Sequence, residues 1–185
     1  MHHLSAIFMG FGQIPLTLNY RTMDYSKYSV KDCLLTAIKS EIEAKAIYKA
    51  IAEQVKNMML KDRLLFLAEE EVKHREYFES LFKKLFPGEK IVLPEKSPVP
   101  LPEIKINKEN ILLSEIFAKA MEAEMAAFDF YTQLSKKFGD EETKKMLTYI
   151  AYMEKGHYNL LELERRAIEE AEDYEINWPM THVGP

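Results

Sequence analysis

Six side chains of metal-ligand type occur at matched spacing. Glu41 is followed by a Glu-x-x-His step, Glu71 with His74. Glu124 is followed by a second such step, Glu154 with His157. Each member of the second set lies 83 positions after its counterpart in the first. Carboxylate oxygen and imidazole nitrogen together suit iron, with manganese and zinc as substitutes. Residues three apart share one helix face, so each Glu-x-x-His step can aim both donors at one centre. One Glu-x-x-His in a chain with 30 acidic residues is a chance event. Two such steps, each with a partner glutamate at the same offset, call for another explanation.

The repeat extends beyond the donors. Glu41-x-x-Ala44-x-x-x-Tyr48 returns as Glu124-x-x-Ala127-x-x-x-Tyr131. Leu64-x-x-Leu67-Ala68-x-x-Glu71-x-x-His74 returns as Leu147-x-x-Ile150-Ala151-x-x-Glu154-x-x-His157. Apolar residues at helical spacing predict four helices to position these groups. The first runs from about Val30 to Lys56, with Ser29 and Asp32 as an N-terminal cap. The second runs from about Leu60 to Phe86, after a link short enough to make the pair antiparallel. The third covers about Asn110 to Phe138, with Gly139 placed to end it. The fourth is capped by Asp140 and reaches about Glu172. Lys39, Glu43, Lys49, Glu69, Glu70 and Glu76 fall off the apolar stripes and read as solvated positions.

Pro87-Gly88 stops the second helix, and Pro94, Pro98, Pro100 and Pro102 keep residues 87–108 extended. A helix of about 27 residues is about 40 Å long. A dozen or more extended residues at about 3.3 Å each can span it. The connector can therefore act as a crossover that sets the third helix parallel to the second. It is also long enough for a domain swap. The expected domain plan is an apolar extension over 1–28, a four-helix bundle over 29–172 and a tail over 173–185, read as non-helical from Ile176.

Composition excludes several function classes. A net charge of −5 gives no electrostatic support for nucleic-acid binding. The lone Cys33 offers neither a disulfide within the chain nor a Cys-x-x-Cys site, and fits a reducing, cytoplasmic setting. Leu4–Leu18 is apolar but broken by Gly10, Gly12 and Pro15, which argues against a signal peptide or a membrane span. It reads as a segment that docks on the body or on a second subunit. Apolar termini and a long connector together predict a homodimer, swapped or not. His2, His3 and His182 are not assigned as ligands.

Amphipathic helices bury their apolar stripes, and here the stripes carry four glutamates and two histidines. Four buried carboxylates without counter-charge cost several kcal/mol each. The stripes hold no matching set of lysines or arginines, whereas two divalent ions would balance four carboxylates. Tyr48 and Tyr131 read either as core packing or as donors to the ligand carboxylates. Phe66, Phe78, Phe117 and Phe128 read as core residues that could also shape a cavity.

This ligand set resembles that of ferritin-like di-iron carboxylate bundles. The Glu-x-x-Ala-x-x-x-Tyr context is similar to that of rubrerythrins, over about residues 29–172. The resemblance implies an all-α, ferritin-like four-helix bundle of two repeated hairpins. It implies that Glu41 and His74 hold one iron, that Glu124 and His157 hold the other, and that Glu71 and Glu154 bridge them. It implies an oxidoreductase acting on peroxide or O₂; ferroxidase activity with iron storage, or a bundle holding structural metal, are the alternatives. Two departures are visible. Rubrerythrins typically carry a rubredoxin domain with two cysteine pairs, and this chain has a single cysteine. Many have a further glutamate three residues after the first ligand of the third helix, where this chain has Ala127. An external electron donor such as a rubredoxin is therefore expected.

Overall fold

The structure, a computed structural model, describes residues 24–99, 101 and 112–177, with side chains as far as residue 170. The Leu4–Leu18 segment, the later part of the connector and the tail from Trp178 lie outside the described residues. Four long helices are present: α1 (Val30–Gln54), α2 (Met58–Leu85), α3 (Leu113–Ser135) and α4 (Glu141–Asn177). They pack as two hairpins, α1 with α2 and α3 with α4, in a ferritin-like bundle. No described helix is long and apolar enough to cross a membrane.

Local chemistry sets the helix ends. The Ser29 hydroxyl accepts the Asp32 amide at 3.1 Å while the Asp32 carboxylate accepts the Ser29 amide at 3.2 Å, a closed capping box. Asn57 accepts the amides of Met59 and Leu60, so α2 starts just after α1 ends. The Asp140 carboxylate accepts the Thr143 amide at 2.8 Å and opens α4. Pro87-Gly88 ends α2, with Gly88 at φ 84°. Two expectations fail. α3 stops at Ser135 rather than Phe138, with Lys136 right-handed, and Gly139 is not left-handed. The chain turns there through bonds from Lys137 to Leu134 and from Phe138 to Ser135. α4 runs past Glu172, so Ile176 and Asn177 are helical rather than part of an extended tail.

The core falls into two clusters, and their membership fixes the helix directions. One cluster joins Leu34 and Ile38 of early α1 with Phe78 and Phe82 of late α2, Phe130 and Leu134 of late α3, and Leu147 and Ile150 of early α4. The other joins Tyr48 and Ile51 of late α1 with Leu64 and Leu67 of early α2, Phe117 and Ala120 of early α3, and Leu161 of α4. The end of α2 thus lies with the end of α3, and the two helices run parallel. A chain can only achieve that by travelling the length of the bundle between them, and residues 89–99 of the connector run beside α1.

The connector is fastened to α1 by side chains. Lys31 pairs with Glu89. The Lys39 ammonium donates to the carbonyls of Pro94 at 3.1 Å and Glu95 at 2.6 Å. Lys39 is therefore not the solvated position its place off the stripe implies. Val99 is fully buried, and its amide donates to the buried Thr36 hydroxyl.

Candidate metal centre

All six donor residues lie between the two core clusters and are at most 5% exposed. Their convergence follows from the repeat. Glu41 is on α1, Glu71 and His74 on α2, Glu124 on α3, Glu154 and His157 on α4. The donor atoms form two overlapping groups. One is Glu41, Glu71, His74 and Glu154; the other is Glu71, Glu124, Glu154 and His157. Within each, the donor atoms lie within 4.8 Å of one another, and each group could hold a metal ion.

The two glutamates common to both groups face both ways. Glu71 turns Oε2 to His74 Nδ1 and Oε1 to His157 Nδ1, each at 3.2 Å. Glu154 turns Oε1 to His74 Nδ1 at 2.9 Å and Oε2 to His157 Nδ1 at 3.2 Å. The other two glutamates sit at one side each, Glu41 3.9 Å from His74 and Glu124 3.7 Å from His157. The imidazoles stack with centroids 5.6 Å apart. Both oxygens of Glu71, both nitrogens of His74, Glu154 Oε1 and His157 Nδ1 are buried and lack any hydrogen bond of acceptable geometry. Buried polar atoms are rarely left so. In each group the donor atoms lie close enough together to share one ion, which is the arrangement two bound cations would satisfy.

The tyrosines complete the carboxylate surroundings in a reciprocal way. The Tyr48 hydroxyl on α1 donates to Glu124 on α3, and the Tyr131 hydroxyl on α3 donates to Glu41 on α1. Burial and the neighbouring carboxylates push both phenol pKa values well above 10, so both remain donors. The match is not perfect, because the Ser40 hydroxyl lies 3.2 Å from the Tyr131 hydroxyl. The residue at the corresponding place beside Tyr48 is Ala123.

Without metal, protons carry the balancing charge. Burial disfavours the imidazolium of His74, but the carboxylates of Glu154 and Glu71 outweigh it and push its pKa up to about 9. His157 is raised further by Glu124, Glu154 and Glu71, against the same opposing burial. Burial, then the charges of Glu154 and Glu71, hold the Glu41 carboxyl well above the usual range. Burial and Glu154 act in the same direction on Glu71, yet His157 and His74 prevail and lower it.

The centre is open on one side. A cavity of about 600 Å³ between α1 and α3 reaches Glu41, Glu71, Glu124 and Glu154 but neither histidine. Ala44 and Ala127, a matched pair in the repeat, line it, and the connector at Glu95, Lys96, Ser97 and Leu101 forms its rim. The aromatic residues divide. Phe78 and Phe117 are fully buried in the core, and Phe128 is half-buried against Tyr152. Phe66 is 56% exposed on α2 and shapes no cavity at the centre. Glu70, expected at the surface, is buried and paired with Lys73 at 2.5 Å.

Comparison with known proteins agrees with this geometry. The structure is similar to that of a hypothetical protein from Pyrococcus furiosus, with a TM-score of 0.72 and 32% sequence identity, over 86% of this chain and 98% of that one. No match is found among curated proteins. The family described as Rubrerythrin matches residues 32–164, which include all six donors and both tyrosines. With that match over most of its length, the chain belongs to the rubrerythrin family.

Proposed function

We propose that the chain is a di-iron oxidoreductase that reduces peroxide or O₂ with electrons from a separate donor such as a rubredoxin. The observation that carries this reading is the pair of overlapping four-residue groups whose carboxylate side opens on a cavity. A structural metal site closes its coordination with protein, whereas a reactive one keeps a position open. Mixed carboxylate and imidazole donors fit iron and manganese; zinc would bind but cannot change oxidation state. In this reading Glu41 and His74 would hold one ion, Glu124 and His157 the other, and Glu71 and Glu154 would be shared by both. Tyr48 and Tyr131 orient the outer carboxylates. Bound iron would supply the two electrons of each turnover. Two copies of the chain would associate as a homodimer, with residues 1–28 and the connector at the contact.

The test is anaerobic loading with ferrous iron, followed by challenge with hydrogen peroxide or O₂ under optical observation. Rapid oxidation of the loaded iron, reversed by an added electron donor, is expected. Iron that stays ferrous under both oxidants would contradict the reading and leave a structural metal. Oxidation and retention of many ferrous ions per chain would favour ferroxidase and storage activity instead.

A further inference from the structure

The cavity is far larger than the oxidants named above require. O₂ and hydrogen peroxide are of the order of one or two water molecules, at about 30 Å³ each. At about 600 Å³, the ion positions beside its four glutamates included, the cavity is instead in the range of sites for organic ligands, about 300–1,000 Å³. Its walls suit such a guest. Ala44, Ile47, Ala123 and Ala127 line it with apolar surface, and Leu101 adds to this at the rim. The rim carries Lys39 and Lys96 against Glu43 and Glu95, so it selects for neither sign of charge. Lys39 is already engaged by two connector carbonyls and by Glu43 at 3.4 Å. The inner end presents carboxylate oxygens, which accept hydrogen bonds. These features describe a neutral guest with an apolar body and an O–H group at its leading end.

We infer that the cavity is a binding site for organic hydroperoxides, with the alkyl or aryl body held between α1 and α3 and the hydroperoxyl group at the carboxylate face of the centre. This rests on the peroxide-reducing reading above and names its substrate class. The reaction balances as ROOH plus two electrons and two protons giving ROH and water. The O–O bond breaks, one oxygen leaves with the organic group, and the other leaves as water. Bound ferrous iron would supply the two electrons, an external donor would restore them, and solvent would supply the protons. Ala44 and Ala123 set the width of the site, because a larger side chain at either would occupy the space of the organic body.

Two measurements test it. The first is binding of 2-phenyl-2-propanol, the alcohol product of cumene hydroperoxide, to the full metal-free chain by calorimetry. Saturable binding is expected, and it should be lost in Ala44→Phe and in Ala123→Phe variants that keep the wild-type unfolding temperature. The second is the ratio of kcat/KM for cumene hydroperoxide to that for hydrogen peroxide in the iron-loaded protein, which should fall about tenfold or more in either variant. An unchanged ratio, or no alcohol binding by the wild type while hydrogen peroxide is still reduced, would overturn the inference alone. Alcohol binding without reduction of either hydrogen peroxide or cumene hydroperoxide would overturn the peroxide reading and the hydroperoxide assignment with it.

Discussion

Metal loading should release protons, and the centre's electrostatics set how many. With a pKa of about 9, His74 is about 99% protonated at pH 7. His157 is raised further still. Ligation uses the neutral imidazole, so each histidine must give up its proton before it can bind. Filling both positions at pH 7 should therefore release about two protons from the imidazoles, with a further share from the raised Glu41 carboxyl. Calorimetric titration with manganese(II) in buffers of different ionisation enthalpy reads this number as a slope. The product of the two binding constants should fall by at least about a hundredfold between pH 7 and pH 6, a factor of ten per proton displaced. The metal-free protein should show the matching stability trend. A histidine whose folded pKa lies above its unfolded value stabilises fully below the unfolded pKa, near 6.5, and loses that contribution as pH rises through about 9. The metal-free unfolding temperature should then drop between pH 6 and pH 9. A buffer-independent binding enthalpy would refute the assignment of imidazolium counter-charge to the empty site.

Three further substitutions are specified by the structure. Tyr48→Phe removes the donor to Glu124, and Tyr131→Phe removes the donor to Glu41 and the neighbour of the Ser40 hydroxyl. Each should cost about 1–3 kcal/mol in denaturant unfolding and weaken metal affinity about 10–100-fold in competition with a chelator; wild-type affinity in both would contradict an orienting role. Gly156 lies within α4 between Glu154 and His157, and an added Cβ there meets nothing within 4 Å. Gly156→Ala should stabilise the protein by about 1 kcal/mol, seen as a rise of about 2–4 °C in Tm without change in metal stoichiometry.

The donors were legible because they carry two signals at once. They sit in phase with the apolar stripe, and they recur at one offset through Leu64 and Leu147, Ala68 and Ala151, Tyr48 and Tyr131. The reciprocal bonds from tyrosine to carboxylate were not legible, because they depend on the register of α1 against α3, which no local pattern encodes. The role of Lys39 is hidden from the sequence for a related reason. Its acceptors are main-chain carbonyls of a connector more than fifty residues away, and carbonyls carry no residue type. Glu70 looked solvated within a run of three acids, yet Lys73 one turn on lets it lie buried. Phe66 precedes the buried Leu67 by one residue, about 100° around the helix, and that rotation takes it to solvent. Gly139 follows the apolar stripe as a helix stop would, but α3 ends earlier at a right-handed Lys136, so the glycine's conformational freedom is not used. Nothing in the sequence marks the cavity; that Ala44 and Ala127 leave a hole rather than fill a tight contact is a tertiary fact.

The central claim is that Glu71 and Glu154 bridge two ions in each chain. It is tested most directly by counting metal after anaerobic loading with ferrous iron and removal of excess, in the wild type and in a Glu71→Ala, Glu154→Ala double variant. The account predicts two ions per wild-type chain and loss of two-metal binding in a variant that still folds as a helical bundle. One ion or none in the wild type, or two retained in the variant, would contradict it.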